Sequence, residues 1–298
     1  MSGWLRRVPA IVCIAALPLS CAPKADTDQP IETPVMPVGP DYAQLAQTHN
    51  RRVGRLQKLY SRGVVEIRWE DEAGRHFEQG NVQLWLSLPR QTALRVEKLG
   101  DVLLWLGSND QGYWLFDMIP DETVLYWGRH DEESGPQSDS AIALKPLALL
   151  DLMGLSPLPP AEQDDSEPPP PVHFDEEHDG WEIAARGAGG LMRICFDRES
   201  LLPKRVESLD AEGRIVAASG LRRYARVEME GSLSVNWPQL PTLADIDLTE
   251  GENSLRLALE SPTTIMDDQP LDRIFDFERL QQALRPDRVE EAITPDDS

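Results

Sequence analysis

Cysteine is nearly missing from this sequence: 298 residues hold three, Cys13, Cys21 and Cys195. The first two sit in or at the end of an N-terminal apolar run, so a mature body would keep Cys195 alone and no disulfide framework. Inside "LMRICFD" that cysteine reads as a small apolar strand residue, and no partner signature marks it as a nucleophile. Positive charge is scarce too. With 29 basic against 51 acidic residues and a formal net charge of −22, the chain is unsuited to nucleic acid, whose phosphates attract the opposite balance. No run beyond the N-terminal one, Val8 to Leu19, approaches the about 20 apolar residues of a spanning helix. The motifs of the common catalytic classes are also lacking: there is no nucleophile elbow, no paired-histidine zincin helix, no phosphate-cradling loop and no paired Cys-x-x-Cys. The expectation is a protein that is not an enzyme, with no cofactor and no metal site. The nearest thing to a ligand cluster is His173-Phe174-Asp175-Glu176-Glu177-His178. Its histidines are five apart and share neither a helix face nor a strand face.

What is present begins with Arg6 and Arg7, the apolar run to Leu19, and "ALPLSCAP", the layout of a secretory signal. Ser20-Cys21 resembles the bacterial lipobox, with Pro18 standing where that motif usually has leucine. The resemblance implies a signal peptide over residues 1–20 and a Cys21 that carries diacylglycerol and palmitate-type chains as a membrane anchor. It also implies a bacterial cell-envelope location, at the outer membrane facing the periplasm, because Ala22 rather than Asp follows the cysteine. Residues 21–40 contain five prolines and little apolar periodicity, which suits an extended linker.

From Asp41 the pattern changes. Tyr42, Leu45, Ala46, His49, Val53, Leu56 and Tyr60 recur at helical steps, with His49 as a packed residue on the stripe. Short apolar segments then alternate with turn signals over 63–70, 77–88, 92–99, 102–107, 113–118 and 123–128, the mark of an antiparallel meander. "EDEAGRHF" is expected as the first turn. Val65, Ile67 and Trp69 share one face, as do Val82, Leu84, Leu86 and Leu88, so the early strands bury one side. "VLLWLG", "YWLFDM" and "TVLYWG" are apolar on both sides and need two covers. One cover is the helix from Asp41. Another is a helix in "AIALKPLALLDLMGL", with Pro146 in its first turn and Gly154 at its stop. Residues 156–171, acidic and Pro-rich, are expected as a disordered insertion. Strands resume from Val172, so one domain over 41–260 is expected, followed by an extension, 261–298, with a short helix near 274–284 and an acidic tail.

Tryptophan is concentrated in the strand block, at Trp69, Trp85, Trp105, Trp114 and Trp127. Such rings can fill a closed core. They can also line an apolar cavity for an acyl chain, together with Leu104, Leu106, Leu115 and Phe116.

Two longer segments carry a family resemblance. "SNDQGYWLFDMIPDETVLYWG" and "CFDRESLLPKRVESLDAEGRIVAASGLRRYARV" resemble two hairpins of the lipoprotein-localisation carriers LolA and LolB. The resemblance spans roughly residues 41–260 and implies a mainly β (α+β) half-barrel, a strongly curved open antiparallel sheet with helices covering its concave face. It implies binding of lipoprotein acyl chains or similar apolar ligands, and a part in lipoprotein sorting; the alternative is an envelope sensor or scaffold that uses the fold to bind a protein partner. Two family features depart from the pattern. The receptor-type carrier exposes an apolar residue on a protruding loop, and the hairpin at 70–75 offers none. The soluble carrier pairs a buried arginine with carbonyls of its lid, for which Arg95 is a possible equivalent.

Overall fold

Helix α1 (Tyr42–Val53) opens the folded chain, capped by Asp41, whose carboxylate accepts from the Gln44 N–H at 2.8 Å. Its buried residues, Tyr42, Leu45, Ala46, His49, Arg52 and Val53, form the stripe that the helical spacing demands. The computed structural model describes residues 39–291 apart from 121, 131–144, 162–167, 230, 249–252 and 266–268. The signal, Cys21, the linker up to Val38, the centre of the 156–171 segment and the end of the acidic tail therefore lie outside the described residues.

Six strands follow as an up-and-down series: β1 (Lys58–Asp71), β2 (Gly74–Ser87), β3 (Gln91–Lys98), β4 (Asp101–Ser108), β5 (Gly112–Asp117) and β6 (Val124–Arg129). After helix α2 (Pro146–Leu152) a second series runs through β7 (His173–Asp175), β8 (Gly180–Arg186), β9 (Leu191–Asp197), β10 (Pro203–Leu209), β11 (Ile215–Arg226), β12 (Gln239–Leu248) and β13 (Asn253–Thr264). Helices α3 (Gln269–Ile274) and α4 (Phe277–Leu284) and strand β14 (Arg288–Glu291) complete the described chain. The strands form one 14-stranded sheet in which β1 pairs with β2 on one side and β13 on the other, so the two series are arms joined at β1. Pairing is antiparallel throughout, except that β14 adds parallel to the edge strand β6. The edges β14 and β7 do not pair, so the sheet stays open.

Its curvature follows from α2, which touches β3 and β4 on one arm and β10 and β11 on the other. β4 and β10 are seven places apart in the strand order. In a flat sheet that is about 34 Å, three times the width of a helix. The arms must therefore curl around α2, and the expected half-barrel with helices on its concave face is the architecture observed.

Three details differ from the sequence reading. The β1–β2 ladder runs on to Asp71 opposite Gly74, leaving a two-residue turn where eight residues were expected. Backbone pairing needs no apolar side chains, and here polar ones tie the strands: Arg75 to Glu70 at 3.1 Å, His76 to Asp71 at 2.8 Å, with Trp69 stacked on His76 at 4.9 Å. The front of the 156–171 segment is packed rather than loose. Ser156 and Leu158 are buried, the Asn50 side chain holds both the N–H and the carbonyl of Leu158 at 2.7 and 2.8 Å, and the Tyr42 hydroxyl donates to the Pro159 carbonyl at 2.7 Å. An average over an acidic, proline-rich stretch hides one leucine with a binding partner. Finally, β13 runs to Thr264, so a boundary at 260 cuts a strand.

Candidate functional site

Period-two alternation divides the expected lining residues between the two faces of the sheet. Leu104, Leu106 and Leu115 join the large core on the concave side, with Trp69 packed partly buried against it. Trp114 and Phe116 are fully buried on the convex side, where Trp105 and Trp127 pack with them against Phe277, Leu280 and Leu284 of α4. Trp85 is also convex, packed with Ala93, Leu271 and Phe275. The nine residues therefore do not share one lining. Five of them meet the C-terminal extension, whose helices supply the second cover that the two-sided strands require.

The convex side is closely filled. Phe277 lies 5.4 Å from the Trp114 ring and 6.4 Å from that of Trp127. The cleft among these three rings measures about 90 Å³ and the one beside the start of α2 about 50 Å³, so on neither face does such a cleft reach the roughly 300–1,000 Å³ typical of small-molecule sites.

The concave side is aliphatic, and its cover is α2. Pro146 stands at the first helical position and Gly154, at φ +62°, ends the turn, as the sequence suggested. All seven residues of α2 are buried, Asp151 being the one charge. Discrete polar contacts hold the cover in place. The Asp151 carboxylate accepts from the backbone N–H groups of Ala188 and Gly189 at 2.9 and 2.8 Å. This approach needs glycine: a Cβ on Gly187 would stand 2.3 Å from the Asp151 carboxylate. The Ser219 hydroxyl donates to the Leu152 carbonyl at 2.5 Å. Arg52 on α1 donates to the Gly154 carbonyl and, at 3.1 Å, to that of Gln239. A ring nitrogen of His49 pairs with the Ser156 carbonyl at 2.8 Å, and its ring meets Phe196 edge-on at 5.7 Å.

Burial sets the titration of these groups. It pushes the Asp151 carboxyl up to about 6, against the pull of the two N–H donors. It also pushes His49 down to about 3, aided by the neighbouring Arg52 charge, so the imidazole is neutral. Burial raises the Tyr224 phenol to about 12, with Arg52 acting the other way.

Arg52, rather than Arg95, is thus a buried arginine bound to a carbonyl of the cover, that of Gly154, and to one of β12. Arg95 lies on the convex face, 5.1 Å above the Trp105 ring and paired with Glu97. Sequence reasoning missed Arg52 and Asp151. Each had a signal: Arg52 follows His49 by three on an otherwise apolar stripe, and Asp151 is the lone carboxylate of an apolar helix. An exposed leucine is also present, but two hairpins later than the position considered. Leu99, at the β3–β4 turn, is 97 % exposed with φ +56°, a conformation costly for a leucine. His173 is exposed on β7, while His178 binds Asp175 at 2.5 Å. Cys195 is buried, and burial lifts its thiol to about 11, which leaves it unreactive.

No protein-family model matches the chain, and neither does any curated protein. Among solved structures it is similar to a DUF1329 family protein from Desulfovibrio piger, with a TM-score of 0.51 and 13 % identity over 80 % of this chain and 96 % of that one. It is also similar to an outer membrane lipoprotein-sorting protein domain from Vibrio parahaemolyticus, with a TM-score of 0.48 and 11 % identity over 80 % and 97 % of the two chains. A LolA superfamily protein from Nitrosomonas europaea gives 0.43 and 11 % over 75 % and 96 %. At such identities likeness concerns the fold alone: the chain shares its fold with the Desulfovibrio piger protein, and the curved open sheet expected from the two quoted segments is the architecture observed.

Proposed function

We propose that the protein binds apolar chains in a bacterial cell envelope, tethered to the outer membrane through a lipidated Cys21, and that its ligand is a lipoprotein acyl chain or a similar chain held on the concave face beneath α2. The observation that carries this reading is the character of that cover: a seven-residue apolar helix held by separate hydrogen bonds from α1, Ser219 and the β8–β9 turn. Breaking a few such bonds costs about 0.5–1.5 kcal/mol each, so the cover can move without unfolding the sheet.

The apolar exchange is close to balanced. Leu147, Leu149, Leu150, Leu152, Met153 and Leu155 are buried here, and each fully buried side chain of this kind is worth about 1.5–3 kcal/mol. An acyl chain at about 0.8 kcal/mol per CH₂ group supplies a similar total over about 16 carbons. Such a chain can therefore slide between α2 and the sheet in place of part of that contact. Native mass spectrometry of the gently purified full chain tests the reading. A copurified acylated species that a fluorescent fatty acid displaces is the expected result. A stoichiometric protein with no lipid would instead favour the sensor or scaffold role.

A further inference from the structure

Beside the C-terminal end of α1 lies a groove of about 310 Å³ that acyl-chain binding does not use. Its walls come from that helix end, the β9–β10 turn and the β11–β12 connection. Three of its lining residues are Arg51, Arg52 and Arg55, and none is a carboxylate. In a chain of net charge −22 this runs against the background.

Arg52 is the informative member. It is 9 % exposed, its charged head bonds to carbonyls and, at 3.4 Å, a nitrogen of the neutral His49, with the Tyr224 phenol as a further neighbour, and its Nε is buried without a hydrogen-bond partner. A buried charge is costly unless an opposite charge compensates it. Arg55 donates to the Asn236 carbonyl at 2.7 Å, and Arg51 is exposed. None of the three forms an ion pair among the described residues. The groove therefore gathers three guanidinium groups with donors to spare around a space suited to an anion. Val235 on its lining and Leu233, two residues before it, are each 74 % exposed, on a connection braced by the Trp237 indole N–H bonded to the Ser232 carbonyl at 3.2 Å.

We propose that this groove receives the phosphate of an anionic phospholipid in a bilayer surface, with Leu233 and Val235 entering the interface beside it. Guanidinium matches phosphate with paired, charge-assisted hydrogen bonds. Apolar side chains flanking basic ones are the arrangement that holds a surface to anionic lipid. The acidic remainder of the protein is repelled by such a membrane, so binding here also sets which end faces it. The proposal does not depend on where an acyl chain binds.

The test is cosedimentation of the full chain with vesicles of phosphatidylcholine alone and of an equal mixture of phosphatidylcholine and phosphatidylglycerol. Because every variant carries the same N-terminal segment, differences between variants belong to the groove. The mixture should bind the chain more strongly, and less so at high salt. The double variant Arg51→Gln, Arg55→Gln should lose that preference about thirtyfold, at about 1 kcal/mol per basic residue near the surface. Leu233→Ser with Val235→Ser should lower binding to both vesicle types. Equal binding to the two compositions, or an arginine variant that binds like the wild type, overturns the proposal. So does saturable thermal stabilisation by inorganic phosphate with no vesicle binding, which would make the groove a site for a free anion.

Discussion

The two faces of strands β4–β6 are both apolar, yet they are covered by different means. On the convex side α4 is bound by aromatic packing, with the Phe277 ring tilted against those of Trp114 and Trp127. On the concave side α2 lies on leucines and is fixed by a few polar contacts, one of them to a buried carboxylate. Rigid rings in mutual contact specify one arrangement, whereas aliphatic side chains repack around an added chain. On the proposed reading, the contrast separates a face that holds the fold from a face that exchanges its cover for a ligand.

The strongest challenge to this contrast is truncation on the convex side. Phe116→Ala or Trp114→Ala should cost about 3–5 kcal/mol in denaturant unfolding, while the folded fraction binds a fluorescent fatty acid with unchanged affinity. A variant of normal stability that no longer binds the probe would place the ligand among the rings.

Next in size is the pH response of the cover. With its carboxyl raised from 3.8 to about 6 in the fold, Asp151 favours the folded state when protonated, so its contribution is present below about pH 4 and lost as pH rises through 6. The full difference is about 3 kcal/mol. His49, lowered from 6.5 to about 3, acts in the opposite sense, its contribution present above pH 6.5 and lost as pH falls toward 3. The slopes oppose each other in the wild type. Asp151→Asn should leave a protein whose stability rises more steeply from pH 4 to 6, and His49→Gln one whose stability falls across that range. Urea midpoints at half-unit steps of pH would show a common, unchanged profile if neither group is buried as described.

Asn50→Ala frees both backbone groups of Leu158 and should cost about 1–2 kcal/mol, with faster entry of the fatty-acid probe in stopped flow. An equal rate would mean that the segment after α2 does not limit access. Smallest of all, Leu99→Ser should change stability by less than about 0.5 kcal/mol, since an exposed tip has no packing to lose.

Much of the architecture was legible because apolar periodicity is a local signal. The stripe of α1, the Pro146 and Gly154 bounds of α2 and the alternation of the early strands all follow from neighbouring residues. The two-sided strands announced that both faces are covered, but not which cover takes the tryptophans. That depends on a pairing between Trp114 and Phe277, far apart in the chain, and sequence spacing does not report it. The groups that hold the cover were hidden for a related reason. Arg52 and Asp151 stand out as charges on apolar stretches, but the backbone groups they bind lie far off in the chain, at Gly154 and Gln239 and at Ala188 and Gly189.

The central claim is that an acyl chain lies under α2 and not among the tryptophan rings. A photoactivatable fatty acid, bound to the full chain, irradiated and mapped by peptide sequencing, tests it most directly. Labels on Leu104, Leu106, Leu115 and the Leu147–Met153 segment, with none on Trp105, Trp114 or Trp127, are the expected result. Saturable labelling of those tryptophans with none on α2 would contradict it.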